Sequence, residues 1–209
     1  MFEDELRRAP LCLTIPGLGN SGPNHWQSIW ERTRHDCRRV QLGCWNEPDR
    51  NIWVSAIEQA VAGARGPVIL AAHSLGCLAV AWWTKFLGAE VLGRVRGALL
   101  VAPPDLSARG LDPRIARFAP MPGAALPFPA IVVASEDDPY ARLERSREMA
   151  GAWLADFVNV GPAGHINAAS ELGEWRAGQQ LLELLIDESN ELSHYSRPAS
   201  RLAHHLHAS

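Results

Sequence analysis

The chain has 209 residues, 47% hydrophobic and 21% charged, with 20 Lys and Arg against 23 Asp and Glu for a formal net charge of −3. That length favours one domain around one core, and the composition sets aside a disordered chain, a coiled coil and a collagen-like fibre. The basic excess of a nucleic-acid or anionic-membrane surface is missing, so the expected partner is a small molecule, with no nucleic acid and no membrane.

Apolar runs alternate with segments of helical period, the pattern of mostly parallel strands joined by crossover helices on both faces of a sheet. The first strand is expected at 11–16. After a glycine-rich turn, Pro23 suits the first turn of a helix whose Trp26, Ile29, Trp30 and Thr33 share one face. A second strand at 37–42 leads through the turn at Pro48-Asp49 into a helix marked by Ile52, Trp53, Ala56, Ile57, Ala60 and Val61. The continuous apolar run 68–72 reads as a buried strand, followed by an apolar helix over 75–86 that Gly88 stops.

Strand four is expected at 95–102. The next segment, 103–129, holds seven prolines, so it should wrap the surface or line a pocket rather than form a regular helix. Strand five at 130–134, a helix near 141–153, strand six at 157–160 and a last helix over 172–186 complete the domain, taken as residues 1–187 with no separate cap. From 188 to 209 the chain is polar and includes His194, His204, His205 and His207, and it reads as a flexible tail rather than a metal site.

Two further features bear on location. No apolar stretch approaches the roughly 20 residues of a spanning helix, and the acidic start Met1-Phe2-Glu3-Asp4-Glu5 does not suit a secretory signal, so a cytoplasmic protein is expected. Cys12, Cys37, Cys44 and Cys77 lack paired metal spacing and read as small apolar core residues, not disulfides, in a reducing compartment.

Ala72-His73-Ser74-Leu75-Gly76 lies between a buried strand and a helix, where a nucleophile elbow sets a serine on a tight turn flanked by small residues. The helix that begins there points free amides, Leu75 N–H among them, at any negative oxygen formed beside Ser74. A lone small-x-Ser-x-Gly string is also what a serine N-cap looks like. Its context is more specific: an acid, Asp137 or Asp138, follows strand five, and His165 follows strand six. In a parallel sheet those strand ends share one rim, so the three groups can converge as serine, acid and histidine.

Gly17-Leu18-Gly19-Asn20-Ser21-Gly22 literally matches a dinucleotide-binding fingerprint. That alternative lacks the acidic residue at the end of strand two, where Leu42-Gly43-Cys44 stands. In a hydrolase the same loop supplies a second oxyanion amide, assigned to Leu18 N–H. His25 and His73 read as packed or surface residues rather than bases. Of the eight tryptophans, Trp26 and Trp45 sit near the expected rim and are candidates to flank a substrate.

Pro16-Gly17-Leu18-Gly19-Asn20-Ser21-Gly22-Pro23-Asn24-His25-Trp26-Gln27, His73-Ser74-Leu75-Gly76, Asp137-Asp138-Pro139-Tyr140 and Gly164-His165-Ile166-Asn167 together resemble the retinoblastoma-binding protein nine and YdeN-like serine hydrolases over about residues 11–186. The resemblance implies a compact α/β-hydrolase fold of about six strands. It also implies Ser74 as nucleophile, Asp138, immediately before proline, as the acid, and His165 as the base. Ala72 replaces the commoner elbow glycine; binding to retinoblastoma protein does not follow. The expected function is hydrolysis of a small ester or related acyl substrate through an acyl-serine, with no cofactor and no metal. The alternatives are a hydrolase-fold module that binds a protein with little catalysis, and a dinucleotide-binding oxidoreductase.

Overall fold

The computed structural model describes residues 9–86 and 88–195. Six strands form one parallel sheet: β1 (Leu11–Ile15), β2 (Cys37–Arg39), β3 (Val68–His73), β4 (Val95–Val101), β5 (Ala130–Ala134) and β6 (Asp156–Asn159), in the order β2-β1-β3-β4-β5-β6. Among the described residues the helices are α1 (Trp26–Thr33), α2 (Arg50–Ala62), α3 (Leu75–Trp83), α4 (Ala89–Leu92), α5 (Pro113–Ala116), α6 (Leu143–Trp153) and α7 (Arg176–Tyr195). None of them is long and apolar enough to cross a membrane.

The period-2 geometry of the strands divides the core in two. Leu13, Ile15, Leu70, Ala72, Leu100 and Val132 face α2, α3 and α6, which contribute Trp53, Ile57, Leu78, Met149 and Trp153. Cys12, Ile69, Ala71, Leu99, Val101 and Val133 face α1 and α7, which contribute Trp26, Trp30, Leu182 and Leu185. β3, central and covered on both sides, is buried at all six residues, which is why its first five are apolar without alternation.

The sheet order reverses at β1 and β3. The chain leaves β1 toward one edge and β3 toward the other, so a crevice opens at their C-terminal ends. α3 can sit close over that crevice because Gly76 has no side chain: a Cβ there would lie 2.3 Å from the Ile15 carbonyl oxygen and 2.7 Å from that of Pro16.

Several elements depart from the sequence expectation. α1 starts at Trp26 rather than at Pro23, because His25 is its N-cap and accepts the Gln27 N–H on its side chain. Its buried face is Trp26, Gln27, Ser28 and Trp30, while Thr33 is exposed. β2 stops at Arg39, since the Leu42 amide turns back to the Val40 carbonyl at 3.1 Å and leaves the ladder. α2 is capped by Asp49, which accepts from Asn51 and Ile52, and it buries Trp53, Ile57 and Val61 but leaves Ile52 half exposed. α7 begins at Arg176, four residues late, after Gly173 and Trp175 take positive φ, and it runs on to Tyr195, into the stretch expected to be tail. His204, His205 and His207 lie outside the described residues.

Candidate active site

Ser74 follows β3 and opens α3 at φ 53°, ψ −124°, a left-handed conformation that an L residue adopts only when its surroundings enforce it. They do so here. The Ser74 amide donates to the Val101 carbonyl on β4 at 2.9 Å, and the Ser74 carbonyl accepts from Cys77 in the first turn of α3. Gly17, at the end of β1, lies against this turn: a Cβ on it would come 2.8 Å from Ser74 Cβ and 3.2 Å from the Leu75 nitrogen. The Leu75 amide belongs to the first turn of α3, where N–H groups have no acceptor within the helix. Leu18 and Ser74 both border the same cavity.

The Ser74 hydroxyl lies 2.9 Å from His165 Nε2, and His165 Nδ1 lies 2.9 and 3.0 Å from the two Asp138 carboxylate oxygens. The side chains of His165 and Asp138 are 9% and 3% exposed, so this chain of contacts is shielded from bulk water. A carboxylate only accepts; the Asp138 contact therefore puts the imidazole proton on Nδ1 and turns the Nε2 lone pair to the serine hydroxyl. The loop after β5 is itself fixed, because the Tyr140 amide donates to Asp138 Oδ1 at 2.9 Å. The Tyr140 ring lies against the His165 ring, with centroids 4.4 Å apart.

Asp137, the rival acid, points elsewhere. Its Oδ1 accepts from the Ser135 hydroxyl and the Gly164 amide, both at 2.7 Å, and these bonds hold its carboxyl below the usual carboxylate range.

A cavity of about 460 Å³ opens over Ser74, His165 and the Gly17–Leu18 turn. The proline-rich segment contributes Asp112, Arg114 and Ile115 to its wall, as the sequence suggested for residues 103–129. Asp112 caps α5 and is gripped by Arg114, whose guanidinium holds the carboxyl down to about 2.

Neither Trp26 nor Trp45 lines the cavity, which corrects the expectation that they flank a substrate. Trp26 is buried, its indole N–H donates to the Ile166 carbonyl at 3.0 Å, and it packs with Trp30 and Trp175. An amphipathic ring near a rim can turn inward when the core supplies an acceptor for its N–H. Trp45 packs on Trp53, and its carbonyl accepts from Gly19.

The glycine loop is held by a polar network that spacing alone did not reveal. Arg39 on β2 donates to Asn20 Oδ1 at 3.0 Å, the Ser21 carbonyl at 3.1 Å and Ser28 Oγ, and it pairs with Glu31 at 2.9 Å. Gln27, fully buried, accepts from the Ser21 hydroxyl and donates to the Ala71 carbonyl on β3 at 2.8 Å. The run from Asn20 to Gln27 is thus a bracket between the loop after β1 and the strand that carries Ser74. Among the described residues no cluster of three or more His, Cys, Asp or Glu side chains is arranged to hold a metal ion.

The serine hydrolase family model matches residues 12–184. No curated protein matches the chain. Among solved structures, a protein assigned as a YdeN-like hydrolase from Pectobacterium atrosepticum is 32% identical over 91% of this chain and 96% of its own, with a TM-score of 0.74. The ydeN gene product of B. subtilis is 19% identical over 90% of this chain and 100% of its own, with a TM-score of 0.64. Est1E from Butyrivibrio proteoclasticus, with ferulic acid bound, is 14% identical over 93% of both chains at a TM-score of 0.62, which extends the likeness of fold alone. With a match that runs from β1 into α7 and a near relative that aligns almost end to end, the chain belongs to the serine hydrolase family, as a YdeN-like member of the α/β-hydrolase superfamily.

Proposed function

We propose that the protein hydrolyses a small carboxylic ester or related acyl compound through an acyl-Ser74 intermediate, with His165 as general base and acid and Asp138 as its orienting carboxylate. A serine hydroxyl is scarcely ionised near neutral pH, so it needs a base within hydrogen-bond reach. As Ser74 Oγ bonds to the acyl carbon, its proton passes to His165 Nε2. The alcohol then leaves with that proton as the C–O bond breaks. Water attacks the acyl-serine by the same route, giving its proton to Nε2, which returns it to Ser74 Oγ as the acid departs. Asp138 stabilises the imidazolium in both halves. The negative charge on the carbonyl oxygen is assigned to the amides of Leu18 and Leu75, backbone donors that need no reorganisation during the reaction.

The observation that carries this reading is the unbroken line from Ser74 Oγ through the imidazole to Asp138, with steps of 2.9 and 2.9 Å, beside a helix N-terminus. The cavity volume, about 460 Å³, supports a small-molecule substrate. A panel of p-nitrophenyl esters of increasing acyl length tests it. Wild type should turn over at least the short members, and Ser74→Ala should lower kcat by about 10⁴- to 10⁶-fold. Equal turnover by the two would remove Ser74 from the reaction.

A further inference from the structure

The segment that carries His165 is short, irregular and gripped at consecutive residues by side chains from three other parts of the chain. The Ala163 amide donates to Ser135 Oγ at 2.8 Å and the Gly164 amide to Asp137 at 2.7 Å. The next two residues are held by their carbonyls. His165 O accepts from His73 Nε2 at 2.9 Å, and Ile166 O accepts from the Trp26 indole N–H at 3.0 Å.

These last two bonds cross the molecule to the nucleophile. His73 is the last residue of β3 and directly precedes Ser74. Trp26 opens α1, and its neighbour Gln27 is tied to the Ala71 carbonyl of the same strand. The loop between them also needs holding. Ile166 is fully buried at φ 48°, a left-handed conformation that is costly for a β-branched residue and persists only where the surroundings impose it.

Both donors are fixed in the donating state. A carbonyl only accepts, so His73 carries its proton on Nε2, and its burial keeps the ring neutral. Indole N–H has no other state. His25 meets His73 edge to face, with centroids 4.6 Å apart, and its Nδ1 accepts from the Gln27 amide, so it too is fixed in one tautomer.

We propose that His73 and Trp26 are positioning residues, a pair of buried ring N–H groups that grip the adjacent carbonyls of His165 and Ile166 and hold the imidazole at the distance of Ser74. The proposal rests on the reading of His165 as the base. It assigns a task to two residues that the sequence placed in the core or at the substrate. A misplacement of a reacting group by about 1 Å can cost about 100-fold in rate, so loss of either grip should act on turnover more than on substrate binding.

The test uses Trp26→Phe, which removes the N–H and keeps a ring; His73→Leu, which removes the donor; and His73→Gln, whose amide can reach the same carbonyl. Competent enzyme is counted by fluorophosphonate labelling of Ser74, so that kcat is expressed per labelled serine. Amide hydrogen exchange is followed over residues 161–171, with β3 as an internal reference. Trp26→Phe and His73→Leu should each lower kcat per labelled serine by about 10- to 100-fold, with KM changed less than about twofold. Both should speed exchange in 161–171 while β3 stays protected, and His73→Gln should recover most of both. A fall in the labelled fraction alone, with normal kcat per labelled serine, would overturn the proposal, as would unchanged exchange in the loop. If wild type itself neither labels nor turns over an ester, the reading of the active site fails. Hydrogen exchange then still decides whether these donors hold the loop.

Discussion

Asp137 and Asp138 are neighbours in sequence, yet their carboxylates hold different partners: Asp138 lies 2.9 Å from His165 Nδ1, whereas Asp137 accepts from Ser135 Oγ and the Gly164 amide. One residue faces the His165 ring and the other ties down the loop on which that ring sits. Asp138→Asn would leave a neutral amide beside Nδ1 and lose both the tautomer control and the charge, so kcat should fall by about 10⁴-fold, the size measured for this change in a serine protease. Asp137→Asn keeps an acceptor oxygen for both of its donors, and kcat should stay within about tenfold. Steady-state rates on one ester decide it, and the opposite ranking would contradict the assignment.

Gly17 and Gly76 test the two close approaches that shape the turn. A Cβ at Gly76 would meet the Ile15 carbonyl oxygen at 2.3 Å, backbone against backbone, with no flexible atom to yield. Gly76→Ala should therefore destabilise the fold by about 1–3 kcal/mol or more, read as a lower denaturant midpoint. At Gly17 the clash is with Ser74 Cβ at 2.8 Å, and it moves the loop that carries the Leu18 amide. Gly17→Ala should lower kcat by about 10²- to 10³-fold, the effect of losing one oxyanion donor, with a smaller change in midpoint. A Gly17→Ala enzyme of normal kcat would argue against Leu18 as a donor.

The paired histidines beside the site make stability fall on acidification. Burial, with the charges of Arg39 and His165, draws His25 down to about 4, and burial holds His73 well below its ordinary 6.5. Between about pH 6.5 and 4 the unfolded chain binds protons at these positions that the native state refuses. The stability they allow is thus complete above about 6.5 and is lost as pH drops through the window, at up to about 1.4 kcal/mol per pH unit for each ring. Urea unfolding of wild type, His25→Gln and His73→Gln at pH 7.5, 5.5 and 4.5 checks this. Each variant should show a shallower decline, and a slope equal to wild type in both would contradict it.

Arg39 and Glu31 form a partly buried pair beneath the glycine loop. Arg39→Met takes the guanidinium from the Glu31 carboxylate, leaving that charge with the Thr14 hydroxyl, and frees Asn20 and Ser21 of their donor. It should cost about 3–5 kcal/mol. Arg39→Met combined with Glu31→Leu, which removes the stranded charge, should recover part of that loss in the same unfolding measurement. A double variant no more stable than Arg39→Met would count against the pair as the origin of the effect.

The centre of the sheet was legible in the sequence because buried parallel strands leave continuous apolar runs, and 68–72 is the extreme case; the edge strands β2 and β6 carry no such run. Ser74 and Asp138 follow such runs, β3 and β5, whereas β6, before His165, is only half-buried and was marked by little more than Phe157, Val158 and Val160. Choosing Asp138 over Asp137 needed the resemblance, because spacing cannot tell which of two adjacent carboxylates turns toward a loop 27 residues later. The orientation of Trp26 was not legible because an indole near a rim faces whichever side offers an acceptor, and the acceptor for Trp26 is a carbonyl 140 residues away; Trp45 packs on Trp53, a partner on another element. The same holds for Arg39 and Gln27, whose partners lie on other elements. Local pattern also missed the late start of α7, which depends on the positive φ of Trp175, a residue with no helix-breaking signature.

In the proposed reaction Ser74 carries the acyl group. Incubation with a fluorophosphonate, followed by peptide mapping by mass spectrometry, tests it most directly. The wild-type chain should give one adduct, on Ser74, and Ser74→Ala none. An unmodified wild-type Ser74, or equal labelling of Ser74→Ala at another residue, would contradict it.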